Sequence, residues 1–189
     1  GVRPTDANCD ETVARGITFD DCTTGVRSVN QHSMGHIFAA VKAYRTGTVF
    51  DFSGGGKLLV DGFFTPSPCT LLKIAGTGDT IGQSNSRYEI RNAYLDKQAG
   101  DTLLLDLYPG PRYCRVYFQG LQLHAANYGV KPAFRLAPDG PCWLTIRDAS
   151  WLRENMIVWD GSRGTPSVTI ENSLAWKVAK PLDLFNARD

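Results

Sequence analysis

In LTIRDASW, residues 144–151, an arginine and an aspartate stand side by side between apolar residues. The same pattern returns in YEIRNAYL at 88–95, VYFQGLQL at 116–123 and VTIENSLA at 168–175. With Ile90, Phe118, Ile146 and Ile170 as anchors the copies lie 28, 28 and 24 residues apart, and a weaker copy, KLLVDGF, places Val60 30 residues earlier. The residue after each anchor is Asp61, Arg91, Gln119, Arg147 or Glu171, and the residue before it is Leu59, Glu89, Tyr117, Thr145 or Thr169. If the copies stack, these become a strip of carboxylates, guanidinium groups, an amide and an aromatic ring. Such a mixture suits a glycan, because the polar groups bond to hydroxyls and a ring packs on the apolar face of a sugar. The candidate ligand-binding residues are therefore Glu89, Arg91, Tyr117, Gln119, Arg147 and Glu171, with Tyr128 in the loop HAANYGVKP at 124–132. The strip equally fits a solvated face whose unlike charges relieve one another, each pair contributing at most about 1 kcal/mol.

Hydrolysis of a glycoside would need two carboxyl groups about 5 Å or about 6.5–9.5 Å apart. Asp106, Asp148, Glu154, Asp160 and Glu171 are the available contributors, and no catalytic pair is assignable among them. No motif calls for a cofactor or a metal. His32 and His36 are four apart without the glutamate of HExxH or a third ligand, so they read as cap or surface histidines. SGGGK at 53–57 lacks the spacing and the hydroxyl residue of a phosphate loop, so it reads as a turn. Five cysteines show no CxxC pair. Cys114 and Cys142 each stand four residues before an anchor and should stack in adjacent copies, as reduced thiols or as a vertical disulfide.

The elements that must position these residues follow from the repeat. Alternation sends Leu58 and Val60, Tyr88 and Ile90, Val116 and Phe118, Leu144 and Ile146, and Val168 and Ile170 to one face. Two residues past the anchor stand Gly62, Asn92, Gly120, Asp148 and Asn172, the residue types that tolerate left-handed backbone. That position reads as a one-residue corner, followed by a short apolar piece. A second series of strands lies between the copies: 70–75, 102–107, 133–137, 156–160 and 181–185. Strand, corner, short strand, loop and strand, repeated at this period, make a coil stacked on itself, a parallel β-solenoid of about five coils. A two-sheet jelly roll is the alternative, and a vertical column of residues 92, 120, 148 and 172 separates the two.

Upstream, HSMGHIFAAVKAY at 32–44 places Met34, Ile37, Phe38, Val41 and Tyr44 on one helical stripe, with Gly47 where a helix would stop. An amphipathic helix there would cap the first coil. The expected organisation is an N-terminal arm over 1–31 and a capping helix plus β-helix domain over 32–189.

Composition agrees with an all-β chain: 15 Asp against 4 Glu, with 19 Gly and 10 Pro, favours turns over helix interiors. A net charge of +1 supplies no overall field that would recruit nucleic acid or an anionic membrane. No apolar run is long enough to insert in a bilayer as a helix.

The segment FDDC at 19–22, the expected helix, GTVFDFSGGGKLLVDG at 47–62 and the corner residues together resemble the pectate-lyase-like right-handed β-helix superfamily, of the bacteriophage tailspike and tail-fibre kind. The resemblance implies a single-stranded right-handed parallel β-helix. It further implies a viral structural protein of the virion, assembled in the host cytoplasm, that binds a bacterial surface polysaccharide or other virion proteins. A hydrolase or lyase acting on polysaccharide is the alternative on the same fold. An exposed last coil would be covered by a continuing chain or by another subunit, and the resemblance favours a homotrimer.

Overall fold

In the computed structural model the described residues are 11–29, 35–52, 56–75, 86–99, 101–107, 114–124, 132–150, 152–160, 164–175 and 184–188. The first circuit contains β1 (Thr12–Arg15), β2 (Thr18–Asp20) and β3 (Thr24–Ser28). Next come β4 (His36–Tyr44) and β5 (Thr48–Phe52), β6 (Lys57–Thr65) and β7 (Thr70–Ile74), and β8 (Ser86–Leu95) and β9 (Leu103–Leu107). The chain continues through β10 (Cys114–Gln119), β11 (Gln122–Leu123) and β12 (Phe134–Leu136), then β13 (Cys142–Arg147) and β14 (Ile157–Asp160), and ends with β15 (Pro166–Glu171) and β16 (Phe185–Arg188). All strand pairings among the described residues are parallel. One sheet runs β1-β4-β6-β8-β10-β13-β15 and the other β16-β14-β12-β9-β7-β5-β3.

The protein is thus an all-β parallel β-solenoid, and the roughly five turns marked by Val60, Ile90, Phe118, Ile146 and Ile170 are present in unbroken register. The same column continues upstream through Phe38 and Ala14. Residues 12–28, expected within an arm, therefore pair as part of the solenoid. Strands β4, β6 and β8 bend at their middles. Their C-terminal halves form a narrow second face with β2 and β11.

The bend is the corner expected from the sequence. Asn92, Asp148 and Asn172 have φ of 53°, 54° and 46°, and Gly62 and Gly120 have 79° and 68°. Gly16 and Ala40 complete the column at 69° and 52°. Left-handed backbone turns the chain within one residue, so the next side chain points inward again. Asn, Asp and Gly carry little penalty there, whereas Ala40 costs about 1 kcal/mol.

This corner also corrects the capping helix. Residues 36–44 are a strand, and His36, Phe38, Val41 and Ala43 are buried while Ile37 is exposed. A strand that resets its alternation at a one-residue corner buries positions i, i+2, i+5 and i+7, which imitates a helical stripe. The other coils repeat the spacing: Leu58, Val60, Phe63 and Thr65, then Tyr88, Ile90, Ala93 and Leu95. Gly47 is no helix stop. Its N–H donates to the Cys22 carbonyl at 2.9 Å, and a Cβ there would lie 2.8 Å from the Thr23 carbonyl oxygen, so only glycine lets the two circuits approach. Met34 and His32 lie outside the described residues.

The interior is a stack of aromatic and aliphatic rungs. Phe38 packs on Phe50, with centroids 5.2 Å apart, Phe52 on Tyr88 at 5.7 Å and Phe118 on Phe134 at 5.3 Å. His36, expected as a surface residue, is 1% exposed and sits among Phe38 and Phe52. Burial holds its imidazole below the ordinary pKa of 6.5, because desolvation penalises the charged form. Cys114 and Cys142 are register partners inside the core, with sulfurs 2.9 Å apart, and both are free thiols. The hydrogen bond with the Cys142 thiol, together with burial, pushes Cys114 well above the usual thiol range. The last strand of the second sheet is Phe185–Arg188, downstream of the expected 181–185, of which residues 181–183 lie outside the described set. Among the described residues no helix is long and apolar enough to cross a membrane.

Candidate ligand-binding face

The outward positions of the first face form three columns. Nearest the corner stand Arg15, Ala39, Asp61, Arg91, Gln119, Arg147 and Glu171, in register from strand to strand. The middle column is Val13, Ile37, Leu59, Glu89, Tyr117, Thr145 and Thr169. A third column, not singled out from the sequence, holds Lys57, Arg87, Arg115, Trp143 and Ser167. Each step follows the spacing of adjacent strands, about 4.8 Å. Glu89, Arg91, Tyr117, Gln119, Arg147 and Glu171 therefore share one face, whereas Tyr128 lies outside the described residues.

Both glutamates of this face are paired with arginines. Glu89 is held from both sides: Arg91 Nε donates to Oε1 at 2.7 Å and Arg87 Nη2 to Oε2 at 3.2 Å. Arg147 Nε donates to Glu171 Oε2 at 2.7 Å, and its Nη2 contacts the same oxygen. That bond and the carboxylate charge raise the Arg147 pKa. The guanidinium of Arg87 lies 4.9 Å from the centre of the Tyr117 ring, and that of Arg115 lies 5.5 Å from the centre of Trp143. Two aromatic rings on neighbouring rungs thus stand against cations, and Trp143 is 38% exposed.

The corner carries its own ladder. Asn92 Nδ2 donates to Asp61 Oδ1 at 2.8 Å and Asn172 Nδ2 to Asp148 Oδ1 at 2.6 Å, while Gln119 Nε2 reaches Asp148 Oδ2 at 3.4 Å. A Cβ at Gly120 would stand 3.0 Å from Asn92 Oδ1, so the missing side chain makes room for the asparagine above it. Beyond the corner, on the second face, a groove of about 460 Å³ is lined by Tyr94, Gln122, His124, Asp148 and Ser150. Tyr94 was not singled out from the sequence. The short pieces AYL and LQL carried the signal, because their middle residues Tyr94 and Gln122 are register partners that face outward.

The carboxylates weighed for hydrolysis are spread around the solenoid. Asp106 and Asp160 lie on the third face, formed by the sheet β16-β14-β12-β9-β7-β5-β3, Asp148 at the corner, Glu171 on the first face and Glu154 in the turn before β14. Asp148 and Glu171, on neighbouring rungs, accept from Asn172 and Arg147 respectively. Most of the loop 124–132, Tyr128 included, lies outside the described residues.

No family model, curated protein or solved structure compared with the chain matches it. The assignment of the fold therefore rests on the strand register and the corner column.

Proposed function

We propose that the chain is a structural protein of bacteriophage tailspike or tail-fibre type, on a right-handed β-helix of the pectate-lyase-like kind, that holds a bacterial surface glycan along its first face. The observation that carries this reading is the in-register strip of Glu89, Arg91, Tyr117, Gln119, Arg147 and Glu171, with Tyr117 and Trp143 as flat apolar surfaces among hydroxyl-binding groups. A rigid scaffold is what such a surface needs, since side chains set by strand pairing lose little freedom on binding. The proposed assembly is a homotrimer or a larger virion particle.

The test is binding of the full chain to immobilised capsular polysaccharides and lipopolysaccharides from a panel of bacteria. Saturable binding to a subset, weakened by Tyr117→Ala with the fold intact, is the expected result. Binding to none of them would overturn the glycan reading. Release of reducing ends from any bound polysaccharide would favour a hydrolase or lyase instead. A monodisperse monomer in sedimentation at micromolar concentration would remove the trimer.

A further inference from the structure

On the second face the outward positions run Thr18, Lys42, Phe64, Tyr94, Gln122 and Ser150 in register. Phe64 and Tyr94 stack with ring planes 9° apart and centroids 5.8 Å apart, and Tyr44 meets Phe64 edge-on at 6.3 Å. The aromatic series stops at Tyr94. The next two rungs offer only an amide and a hydroxyl, so the stack ends on a ring whose further side opens into the groove. Tyr94 is 40% exposed although Phe64 covers one side of it. At about 460 Å³ the groove lies within the range of small-ligand sites.

We propose that this groove seats a pyranose residue of a neutral glycan, with the sugar's C–H face on Tyr94 where the next aromatic rung would stand. The inference rests on the glycan-binding reading and names a subsite and a ligand class for it. The groups around the ring suit hydroxyls: Gln122 both donates and accepts, Ser150 and His124 offer polar atoms, and Asp148 accepts. The Ser150 hydroxyl already donates to the Leu121 carbonyl at 3.2 Å, which leaves its oxygen to accept. A nucleobase would stack on Tyr94 as well, but its phosphates need cationic partners, and no lysine or arginine is among the described residues that line the groove. The carboxylate of Asp148 disfavours acidic sugars. Gln119, which reaches Asp148 from the first face, joins the groove to the strip, so one chain of sugars would cross the corner.

Saturation-transfer NMR on the full chain tests this, with the methyl α-pyranosides of glucose, galactose, mannose and rhamnose as probes and adenosine as the competing class. The expected result is transfer to ring C–H protons of at least one glycoside, reduced about tenfold in Tyr94→Ala and retained in Tyr94→Phe. Gln122→Trp, which would extend the aromatic series into the groove, should also abolish it while leaving the circular dichroism spectrum unchanged. No transfer to any glycoside, equal transfer to Tyr94→Ala, or transfer to adenosine alone would overturn the subsite. A surface polysaccharide that binds wild type and Tyr94→Ala equally, yet is lost in Tyr117→Ala, would overturn the groove and leave the first-face reading standing. Binding to no polysaccharide would end both.

Discussion

The first and third faces of the solenoid both carry ladders of charge, and they differ in how far the carboxylates are withdrawn from water. On the third face one outward column reads Arg27, Asp51, Lys73, Asp106 and Arg135, alternating in sign at every rung. Asp51 and Asp106 are buried, and Arg135 grips Asp106 with two bonds of 2.6 Å. On the first face the pair of Arg147 and Glu171 is exposed, with side-chain accessibilities of 53% and 43%. A buried carboxylate depends on its partner, because its desolvation is offset only by that bond. An exposed one can exchange its partner for water or for a ligand at little cost. The third-face ladder thus holds coils together, whereas on the first face the Arg147–Glu171 pair is a surface contact whose bonds are replaceable and Glu89, at 16% side-chain accessibility, is the more withdrawn carboxylate.

Removing a cation from each ladder should break this comparison if it is wrong. Arg135→Ala leaves Asp106 without its bidentate partner, and is expected to cost about 2–3 kcal/mol in urea denaturation, below the full buried-pair penalty because Arg135 is half exposed. Arg147→Ala should leave the denaturation midpoint where it is. Equal losses would mean that both faces are structural.

The corner between the two working faces gives the next largest effects. Gly120→Ala places a Cβ 3.0 Å from Asn92 Oδ1 on backbone at φ 68°, and should cost about 1–2 kcal/mol. Ala40→Gly relieves the same conformation and should gain up to about 1 kcal/mol, read as a rise in melting temperature. A loss at Ala40→Gly would show that the upstream corner is not built like the downstream ones.

The smallest effect expected to be resolvable is a pH dependence from the core. Because the folded pKa of His36 lies below 6.5, the folded state binds fewer protons than the unfolded chain near that pH. Its contribution is complete above about 6.5 and is lost as the pH falls towards the folded value. Denaturation midpoints followed from pH 7 downwards should therefore decline, and His36→Phe, which fits beside Phe38 and Phe52, should flatten that part of the curve.

What could be read from the sequence was what repeats. The anchors, the five corner residues, the paired cysteines and the outward neighbours of each anchor stand in the register that their spacing implied. The upstream strand was illegible because Ala40, unlike Gly or Asn, gives no sign of left-handed backbone, and because a corner inside a strand mimics helical periodicity. The third-face ladder was missed for another reason. Single charges inside apolar strands such as TVFDF and LLLDL look like interruptions until their register is known, and the alternation of sign exists only between coils. The groove depends on where an aromatic column stops, which no single repeat contains.

The most direct test of the division between a holding face and a binding face is hydroxyl-radical footprinting of the exposed aromatics, with and without a bound surface polysaccharide. Tyr117 and Trp143 on the first face should lose reactivity on binding, and so should Tyr94 on the second. A bound polysaccharide that leaves Tyr117 and Trp143 as reactive as in the free chain would place the ligand on another face and contradict the account.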